Sequence, residues 1–440
     1  MKIINSLTKS KELISKKEIN IYACGPTVYD YIHIGNARAI LFADFLVRYL
    51  EFKGAKVNFL QNFTDIDDKI INRAIKENTS EKEIADKYIK AYFHDTKQLN
   101  LRTPNAIIRI SEHIEDIMLF IKKLVDKNYA YISNGNVYFA LNKWQQQYGK
   151  LANKKIDELI SGQRVEVDFN KQNSLDFSLW KKTDKGITFN SPWGLGRPSW
   201  HTECAVLIDL YFKSKTIDIH LGGMDLKFPH HENERIQFLA KNNLEIANIW
   251  AHNGHLLMDE IKMSKSLGNI ISLKDFVEKY GVNTLKFIFY NTSYSQPLNI
   301  TLETINYANK YIAKINNLLK KVNLYYAENE IVFNKQKSYG QHVKQVIEYL
   351  DNNLNSANTI TVLTTILKEI NQGIANNNLS TDLVDDLFVI IFDILNFNFS
   401  LPTIDKKILQ DIHFWKKCLE EKNYAKADQV RKQLEEKGIL

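Results

Sequence analysis

The first hundred residues alternate between short β-prone segments and one long apolar segment with helical spacing. Residues 19–24 alternate between apolar and polar side chains and end at a Gly-Pro break, and residues 56–62 form a second segment of this kind. Between them, residues 36–49 are apolar nearly all round, which predicts a well-buried helix. A strand, a helix and a second strand at this spacing predict an α/β fold with a parallel sheet.

The α/β pattern is interrupted once and is followed by a long helical part. Beyond Leu302, apolar residues recur every three or four positions, which predicts a helical bundle, and Pro402 separates a short final segment. The predicted divisions are residues 1–120 and 196–255 for the two halves of the α/β domain, 121–195 for an insertion rich in short strands and turns, 256–301 for the region that follows, 302–401 for the bundle and 402–440 for the final segment.

Composition excludes several protein classes. A length of 440 residues predicts about three domains, and 44% hydrophobic with 25% charged side chains is ordinary globular composition. The longest apolar run, residues 387–392, is far shorter than the roughly 18 residues that suggest a membrane span. Residues 1–20 lack the apolar core of a secretory signal. We therefore expect a soluble, cytoplasmic protein.

The charge distribution restricts where a polyanion could bind. The net charge of +7 permits such a partner without requiring one. The whole excess lies in residues 1–300, because residues 301–440 contain 17 basic and 17 acidic side chains. A nucleic-acid contact by this last part therefore requires a local patch of basic residues. The candidates are Lys416, Lys417, Lys426, Arg431 and Lys432.

Cysteine and histidine usage favours a metal site over disulfides. Three cysteines (Cys24, Cys204 and Cys418) make an unlikely disulfide scaffold for a chain of this length. The histidines cluster, since six of the eleven lie within fifty-five residues. These six are His201, His220, His230, His231, His252 and His255. In a reducing compartment, cysteines amid histidine-rich sequence are better interpreted as metal ligands than as bridged pairs.

One combination of these residues matches a tetrahedral zinc site. His230 and Glu234 are four positions apart and therefore share one helix face, as two ligands of one ion would. Cys24 and Cys204 would add two thiolates to this imidazole and carboxylate. The alternative is two buried cysteines and a helix whose His and Glu face solvent. Spacing does not choose between these readings, nor between His230 and His231 as the ligand.

Two further segments could bind a polyphosphate. His33–Asn36 lies between a predicted strand and the buried helix, where a helix N-terminus and a glycine suit a phosphate. Lys262–Ser266 places two lysines around small hydroxyl residues, which could form a cationic clamp. Taken singly, they could also be a turn with a half-buried histidine and a solvated lysine-rich turn. Their order along the chain resembles that of the class I aminoacyl-tRNA synthetases.

Six blocks make the resemblance closer and point to the cysteinyl-tRNA synthetase family. They are Cys24–Asp30, Thr64–Lys69, Gly196–Cys204, Gly222–Leu226, Phe228–Glu234 and Lys262–Ser266. The resemblance implies a Rossmann-like catalytic domain with a connective insertion, in which residues 256–301 contact the tRNA stem. It also implies a helical bundle and a C-terminal anticodon-binding segment. The chain ends at Leu440, where the family usually continues, so we expect this segment to be shortened.

The resemblance also implies the roles of individual residues. The implied zinc ligands are Cys24, Cys204, His230 and Glu234, and Trp200 would lie by the amino acid. The implied catalytic residues are His33, Asn36, Lys262 and Lys265. The implied ATP-binding residues are Thr27, His33, Gly35, Gly222, Gly223, Asp225 and Lys265. One Zn²⁺ per chain, Mg²⁺ carried with ATP, and L-cysteine and tRNA(Cys) as partners follow from the same resemblance, and we expect a monomer.

Asn36 departs from the family pattern, because class I enzymes commonly have a second histidine there. Asparagine can still cap the helix and donate a hydrogen bond, so we expect activity to be retained. Two alternative functions are weighed against the synthetase. One is a ligase that joins activated cysteine to an amino sugar, and the other is a non-catalytic zinc- and RNA-binding paralogue. The paralogue would be expected to lose Lys265 or His33, and both are present.

Overall fold

The computed structural model describes residues 1–155, 158, 170–263, 270–332 and 339–439, except for the side chain of Lys262. These residues form two compact units. The first comprises residues 1–276 and 294–299, and the second comprises residues 277–293 and 300–440. No helix among the described residues is long and apolar enough to cross a membrane.

The first unit contains nearly all of the strands that the structure describes. The strands are β1 (Lys2–Ile4), β2 (Lys11–Leu13), β3 (Glu18–Ala23), β4 (Lys56–Phe63), β5 (Ala106–Arg109), β6 (Ala130–Ser133), β7 (Asn136–Phe139), β8 (Phe177–Lys182), β9 (Phe189–Ser191), β10 (Gly194–Pro198), β11 (Ile217–Gly223), β12 (Ala247–Asn253), β13 (Leu256–Met258), β14 (Ile261–Lys262) and β15 (Leu298–Ile300). Its helices are α1 (Ile34–Phe52), α2 (Asp68–Glu77), α3 (Glu81–Gln98), α4 (Ile114–Asp126), α5 (Trp200–Tyr211) and α6 (Glu232–Asn242), and α7 (Leu273–Tyr280) begins in it.

A five-stranded parallel sheet organises this unit, in the order β12-β11-β3-β4-β5. The predicted parallel α/β fold is therefore confirmed. Every residue of β11 is buried, as expected for a central strand covered on both faces. Ala23 pairs with Leu221, so the residues that follow β3 and β11 emerge at the same carboxyl edge. Ligand sites of open α/β sheets lie at this edge.

The insertion forms a second, antiparallel sheet in the order β6-β7-β8-β10-β9. Its apolar side chains, including Phe139, Leu179 and Trp180, are buried in one core with residues of α4, α5 and α6. β10 is the last of these five strands in sequence order, and it leads directly into α5. Packing and chain connection together fix the start of α5 against the carboxyl edge of the parallel sheet.

The second unit is helical, as the three- and four-residue spacing predicts. Its helices are α8 (Val282–Tyr290), α9 (Leu302–Glu328), α10 (Gln341–Asp351), α11 (Ser356–Ala375), α12 (Thr381–Phe388), α13 (Lys406–Glu420) and α14 (Tyr424–Glu436). The last two helices pack together over Ile412, Leu434 and Ile439. Asp405 caps α13 by accepting the backbone N–H of Ile408, which explains why this helix begins shortly after Pro402.

Candidate active site

Four potential metal ligands converge at the carboxyl edge of the parallel sheet. Cys24 is the first residue after β3, and Cys204 lies in the second turn of α5. His230 belongs to the short turn, residues 227–231, that leads from β11 into α6, and Glu234 lies in the first turn of α6. Three of the four side chains are buried and Cys24 is half-buried. The four ligand atoms all lie within 4.8 Å of one another.

The distances within this group fit a tetrahedral ion. The Sγ atoms of Cys24 and Cys204 are 3.7 Å apart. Two sulfurs bound at ~2.3 Å to a tetrahedral Zn²⁺ lie about 3.8 Å apart. His230 Nε2 lies 3.8 Å from Cys24 Sγ and 3.7 Å from Cys204 Sγ. Cys24 Sγ is 3.6 Å from Glu234 Oε1. The residues therefore fit a metal ion of zinc's size and ligand preference.

The neighbouring imidazole, His231, belongs to a different group of possible ligands. His231 Nε2 lies 3.3 Å from Cys24 Sγ, and these two residues with His220 and Glu234 also have ligand atoms within 4.8 Å of one another. This second group contains only one thiol. The first contains both cysteines together with His230, and two thiolates favour Zn²⁺. The structure thus separates two imidazoles that the sequence left equivalent.

The ionisable side chains of the metal-binding group shift one another's pKa values. Burial alone would lower the pKa of His230, but the Glu234 carboxylate, with Oε1 2.8 Å from Nε2, outweighs it and raises the pKa to about 10. Burial opposes ionisation of Glu234, yet His230 and His220 hold its pKa well below the usual range. For Cys204, burial is outweighed by its hydrogen bond with Cys24 and by His230, and its pKa falls to about 7. A metal ion must displace these protons to bind.

Two further histidines contact the candidate metal ligands, a role that the sequence did not predict for them. His220 Nε2 lies 2.8 Å from Glu234 Oε2. His201 Nδ1 lies 3.2 Å from His230 Nδ1, and burial lowers the pKa of His201 to about 3, so a neutral His201 can accept the proton of His230. Such outer contacts orient metal ligands. The clustering of histidines in the sequence was the available signal.

Trp200 lies beside the metal-binding group. Its ring stacks on His230 with centroids 4.0 Å apart and an interplanar angle of 15°. The side chain remains 38% exposed, so one face of the ring is covered by a candidate ligand while part of it is accessible. A molecule bound next to the metal group would therefore contact this indole.

The start of α1 is organised by the predicted phosphate-binding segment. His33 is the N-cap, and its Nδ1 accepts the backbone N–H of Asn36 at 3.2 Å. The Asn36 side chain in turn accepts the backbone N–H of His33 at 3.2 Å. This reciprocal pair is a capping box, so asparagine has a capping role here. A Cβ on Gly35 would lie 2.9 Å from the His33 ring and 3.2 Å from Met263. Only glycine therefore allows these two side chains to pack so close to the backbone.

Three more of the residues predicted to bind the nucleotide lie at the same sheet edge. Gly222 and Gly223 are the last residues of β11, and a Cβ on either would lie within 2.4 Å of His231 or Asp225 atoms. Thr27 forms an isolated parallel bridge with Thr64, next to the end of β4. Lys265 lies outside the described residues, as does the side chain of Lys262, whose backbone ends β14. Their predicted place beside the nucleotide stays a prediction.

Comparison with known proteins identifies the family. Residues 10–310 match the family model described as the catalytic domain of class I (C) tRNA synthetases. The chain belongs to this family. It is 52% identical to a protein of Mesoplasma florum and 49% identical to one of Mycoplasma mycoides, each over 100% of both chains, and both are named cysteine--tRNA ligase. The resemblance noted from the motifs is thereby confirmed.

A solved structure supports the fold of this class I synthetase independently. Methionyl-tRNA synthetase of Mycobacterium tuberculosis in complex with methionyl-adenylate matches with a TM-score of 0.62. The match covers 86% of this chain and 90% of that chain at 15% sequence identity. At this identity the likeness concerns the fold alone, and it agrees with the parallel sheet followed by helices.

Proposed function

We propose that the protein is a cysteine--tRNA ligase that acts in the cytoplasm. In the first step a carboxylate oxygen of L-cysteine bonds to the α-phosphorus of ATP and pyrophosphate leaves, which gives cysteinyl-adenylate. In the second step a terminal ribose hydroxyl of tRNA(Cys) bonds to the acyl carbon and AMP leaves. The observation that carries the proposal is the grouping of two thiols, His230 and Glu234 beside Trp200, at the same sheet edge as the capped start of α1.

The metal-binding group supports cysteine as the amino acid. Cys24, Cys204, His230 and Glu234 would hold one Zn²⁺, which when bound supplies a ligand position that takes a thiolate far better than a hydroxyl. A hydrophobic pocket separates near-isosteres such as cysteine and serine by only ~10²-fold, whereas a site that requires one bonded group reaches ~10⁴–10⁵. Trp200 would cover the bound side chain, because its exposed indole adjoins His230.

The start of α1 and the glycines of β11 would bind ATP. Gly35, Gly222 and Gly223 are required to be glycine, because a Cβ at these positions would clash with the side chains of His33, His231 and Asp225. The α1 N-terminus favours negative charge, and His33 is positioned there by its capping bond to Asn36. Mg²⁺ would accompany ATP. Thr27, Asp225, Lys262 and Lys265 complete the proposed set, so catalysis would consist mainly of positioning and charge neutralisation.

Two assays test this function directly. Cysteine-dependent exchange of pyrophosphate into ATP reports the first step, and charging of total tRNA with cysteine reports the second. We expect both activities in the unmodified protein, with serine supporting neither. Pyrophosphate exchange without charging of any tRNA would contradict the proposal and would support the amino-sugar ligase instead. The names of the relatives, both cysteine--tRNA ligase, support tRNA charging.

The proposed phosphate clamp predicts a selective effect on the first step. Lys265→Ala should slow adenylate formation by ~10²-fold or more and leave the affinity for cysteine near normal, because its charge is needed mainly in the transition state. The exposed Lys215 provides the control, and Lys215→Ala should not change the rate. A normal exchange rate in Lys265→Ala would show that this lysine is only a solvated loop residue.

The basic patch expected after Pro402 is divided by the structure into paired and unpaired lysines. Lys416 pairs with Glu328 and Lys417 with Glu421, with N–O distances of 2.5 Å and 3.8 Å, and Arg431 pairs with Glu435. The exposed ammonium groups of Lys426 and Lys432, both on α14, have no such partner among the described residues. These two are therefore the best candidates for contacts with tRNA phosphates.

The double substitution Lys426→Ala with Lys432→Ala should raise the KM for tRNA several-fold and leave pyrophosphate exchange unchanged. The KM for tRNA should rise less steeply with salt concentration in this variant than in the unmodified protein, because binding releases fewer counterions. Lys417→Ala, a paired lysine on α13, is the control and should have little effect. A normal KM in the double variant would show that α14 does not contact tRNA.

A further inference from the structure

One amide side chain, that of Asn62, lies between the two segments that carry the candidate thiol ligands. Asn62 is the last residue but one of β4 and is 1% exposed. β4 pairs in parallel with β3, and Cys24 is the residue that follows β3. On the other side, Asn62 Oδ1 lies 3.9 Å from the Sγ atom of Cys204. This buried polar group therefore adjoins both parts of the metal-binding group.

The side-chain oxygen of Asn62 holds the turn that follows Cys24. Oδ1 accepts the backbone N–H of Gly25 at 2.9 Å and the hydroxyl of Tyr22, on β3, also at 2.9 Å. A Cβ on Gly25 would overlap the backbone oxygen of Asn62, so the turn packs directly against β4. The place of the Cys24 thiol therefore depends on a peptide N–H that is bonded to a side chain of the neighbouring strand.

The side-chain nitrogen of Asn62 connects to α5. Nδ2 donates to Thr64 Oγ1 at 3.3 Å, and the Thr64 hydroxyl donates to Glu203 Oε2 at 2.8 Å. Thr64 and Glu203 are both buried, and Glu203 directly precedes Cys204 in α5. The two ends of one planar amide group therefore reach the chain segments of both thiols.

These hydrogen bonds admit only one orientation of the Asn62 amide. If the amide were flipped, its NH₂ group would face the N–H of Gly25, and two donors would oppose each other. In the observed orientation the oxygen accepts, the nitrogen donates, and the chain of donors ends on the Glu203 carboxylate. Because buried polar groups keep their partners, this arrangement resists rotation of the side chain.

A second asparagine of β4, Asn58, makes comparable contacts away from the metal-binding group. Its Nδ2 donates to Asn20 Oδ1 on β3 at 3.2 Å, and the hydroxyl of Tyr211, the last residue of α5, donates to its Oδ1 at 3.3 Å. Asn58 therefore also links β3, β4 and α5. It lies four residues from Asn62, or ~13 Å along the strand. Only the link through Asn62 ends beside the thiols.

We propose that Asn62 is a positioning residue that sets the separation of Cys24 and Cys204, and thereby the affinity and geometry of the metal site. The inference rests on the proposed function, because it takes the zinc ligand set from there. It adds a residue to which neither the motifs nor the resemblance gave a role. The two sulfurs lie 3.7 Å apart, which suits a tetrahedral ion. Residues that orient metal ligands typically contribute ~10- to 100-fold to metal affinity.

The test measures the transfer of metal from the loaded, full-length protein to a competing chelator. Asn62→Ala should increase the dissociation constant for Zn²⁺ by ~10- to 100-fold. In protein loaded with Co²⁺ the visible absorption should change, because it reports the geometry of the thiolate ligands. The KM for cysteine should rise more than kcat falls. Asn58→Ala is the matched control, and it should leave the dissociation constant and the absorption unchanged.

Thr64→Val tests the branch to α5 by itself and decides the question if Asn62→Ala does not fold. Valine has nearly the shape of threonine but cannot connect Asn62 to Glu203, so the dissociation constant should rise about tenfold. An unchanged constant in Thr64→Val, or in folded Asn62→Ala, would overturn the proposal. An equal rise in Asn58→Ala would also overturn it, because general destabilisation would then explain the loss. Failure of the proposed function is distinguishable, since the unmodified protein would then hold no stoichiometric metal or charge no tRNA.

Discussion

Cys204→Ser should remove the metal ion and raise the KM for cysteine by roughly 10²–10³-fold. The substitution removes one of the two thiolates and leaves Cys24 as the one soft donor beside His230 and Glu234, which weakens the preference for Zn²⁺. Without the ion, only the shape of the pocket would select cysteine, and shape alone separates near-isosteres by ~10²-fold. The KM for ATP should change far less, because ATP is proposed to bind at the α1 N-terminus. Elemental analysis together with cysteine-dependent exchange measures both effects.

The chain contains its own control for this experiment. Cys418 is also a buried free cysteine, but it lies on α13 in the helical second unit. Cys418→Ser should therefore leave the metal content and the KM for cysteine unchanged. Full metal occupancy in active Cys204→Ser protein would contradict the proposed ligand set. The absence of stoichiometric metal from the active unmodified protein would contradict the zinc proposal as a whole.

Arg38→Ala should destabilise the first unit by at least about 3 kcal/mol. The guanidinium of Arg38, on the buried face of α1, is 3% exposed and donates to four backbone carbonyl oxygens. These belong to Gly254, His255, Tyr294 and Gln296, at 2.9, 2.7, 3.3 and 2.6 Å. Burial lowers the pKa of Arg38 to about 10, so it stays charged at neutral pH. Its removal would take a charged donor from all four carbonyls inside the protein, although the oxygens of Gly254, His255 and Tyr294 each keep one other donor.

Urea unfolding of Arg38→Ala measures the loss, and Arg38→Lys tests its cause. A single ammonium group has no planar fork to reach two pairs of carbonyls, so lysine should recover only a small part of the free energy of unfolding. Arg73 on α2 is a surface control, because its ion pair with Glu77 is partly exposed, and Arg73→Ala should cost less than about 1 kcal/mol. If Arg38→Ala lowered the free energy of unfolding by less than about 1 kcal/mol, the four hydrogen bonds of Arg38 would not contribute as proposed.

The hydrogen bonds of Arg38 should also affect the first chemical step. His255 is followed at once by β13, which pairs with β14, the strand that ends at Lys262. Arg38 therefore anchors the chain just before the hairpin that leads to the lysine motif. In Arg38→Ala protein that remains folded, pyrophosphate exchange should slow more than the affinity for cysteine weakens. Equal changes in both would indicate general destabilisation only.

Local pattern was sufficient for the parts of the fold that depend on neighbours in sequence. The apolar spacing predicted α1 and the helical second unit, and the spacing of β3, α1 and β4 predicted a parallel sheet, because side-chain periodicity follows directly from backbone geometry. The capping role of Asn36 could also be expected, since a cap involves residues within one turn. The order of the motifs indicated the family.

Contacts between distant residues could be decided only by the tertiary structure. Cys24 and Cys204 are 180 positions apart, and no spacing rule brings their sulfurs to 3.7 Å. The sequence left His230 and His231 equivalent, and the fold places the former with both thiols and the latter with one. Arg38 and Asn62 look like ordinary polar residues in the sequence. Which partners a buried polar side chain finds depends on elements that meet only after folding, because hydrogen bonding is a property of the assembled surroundings.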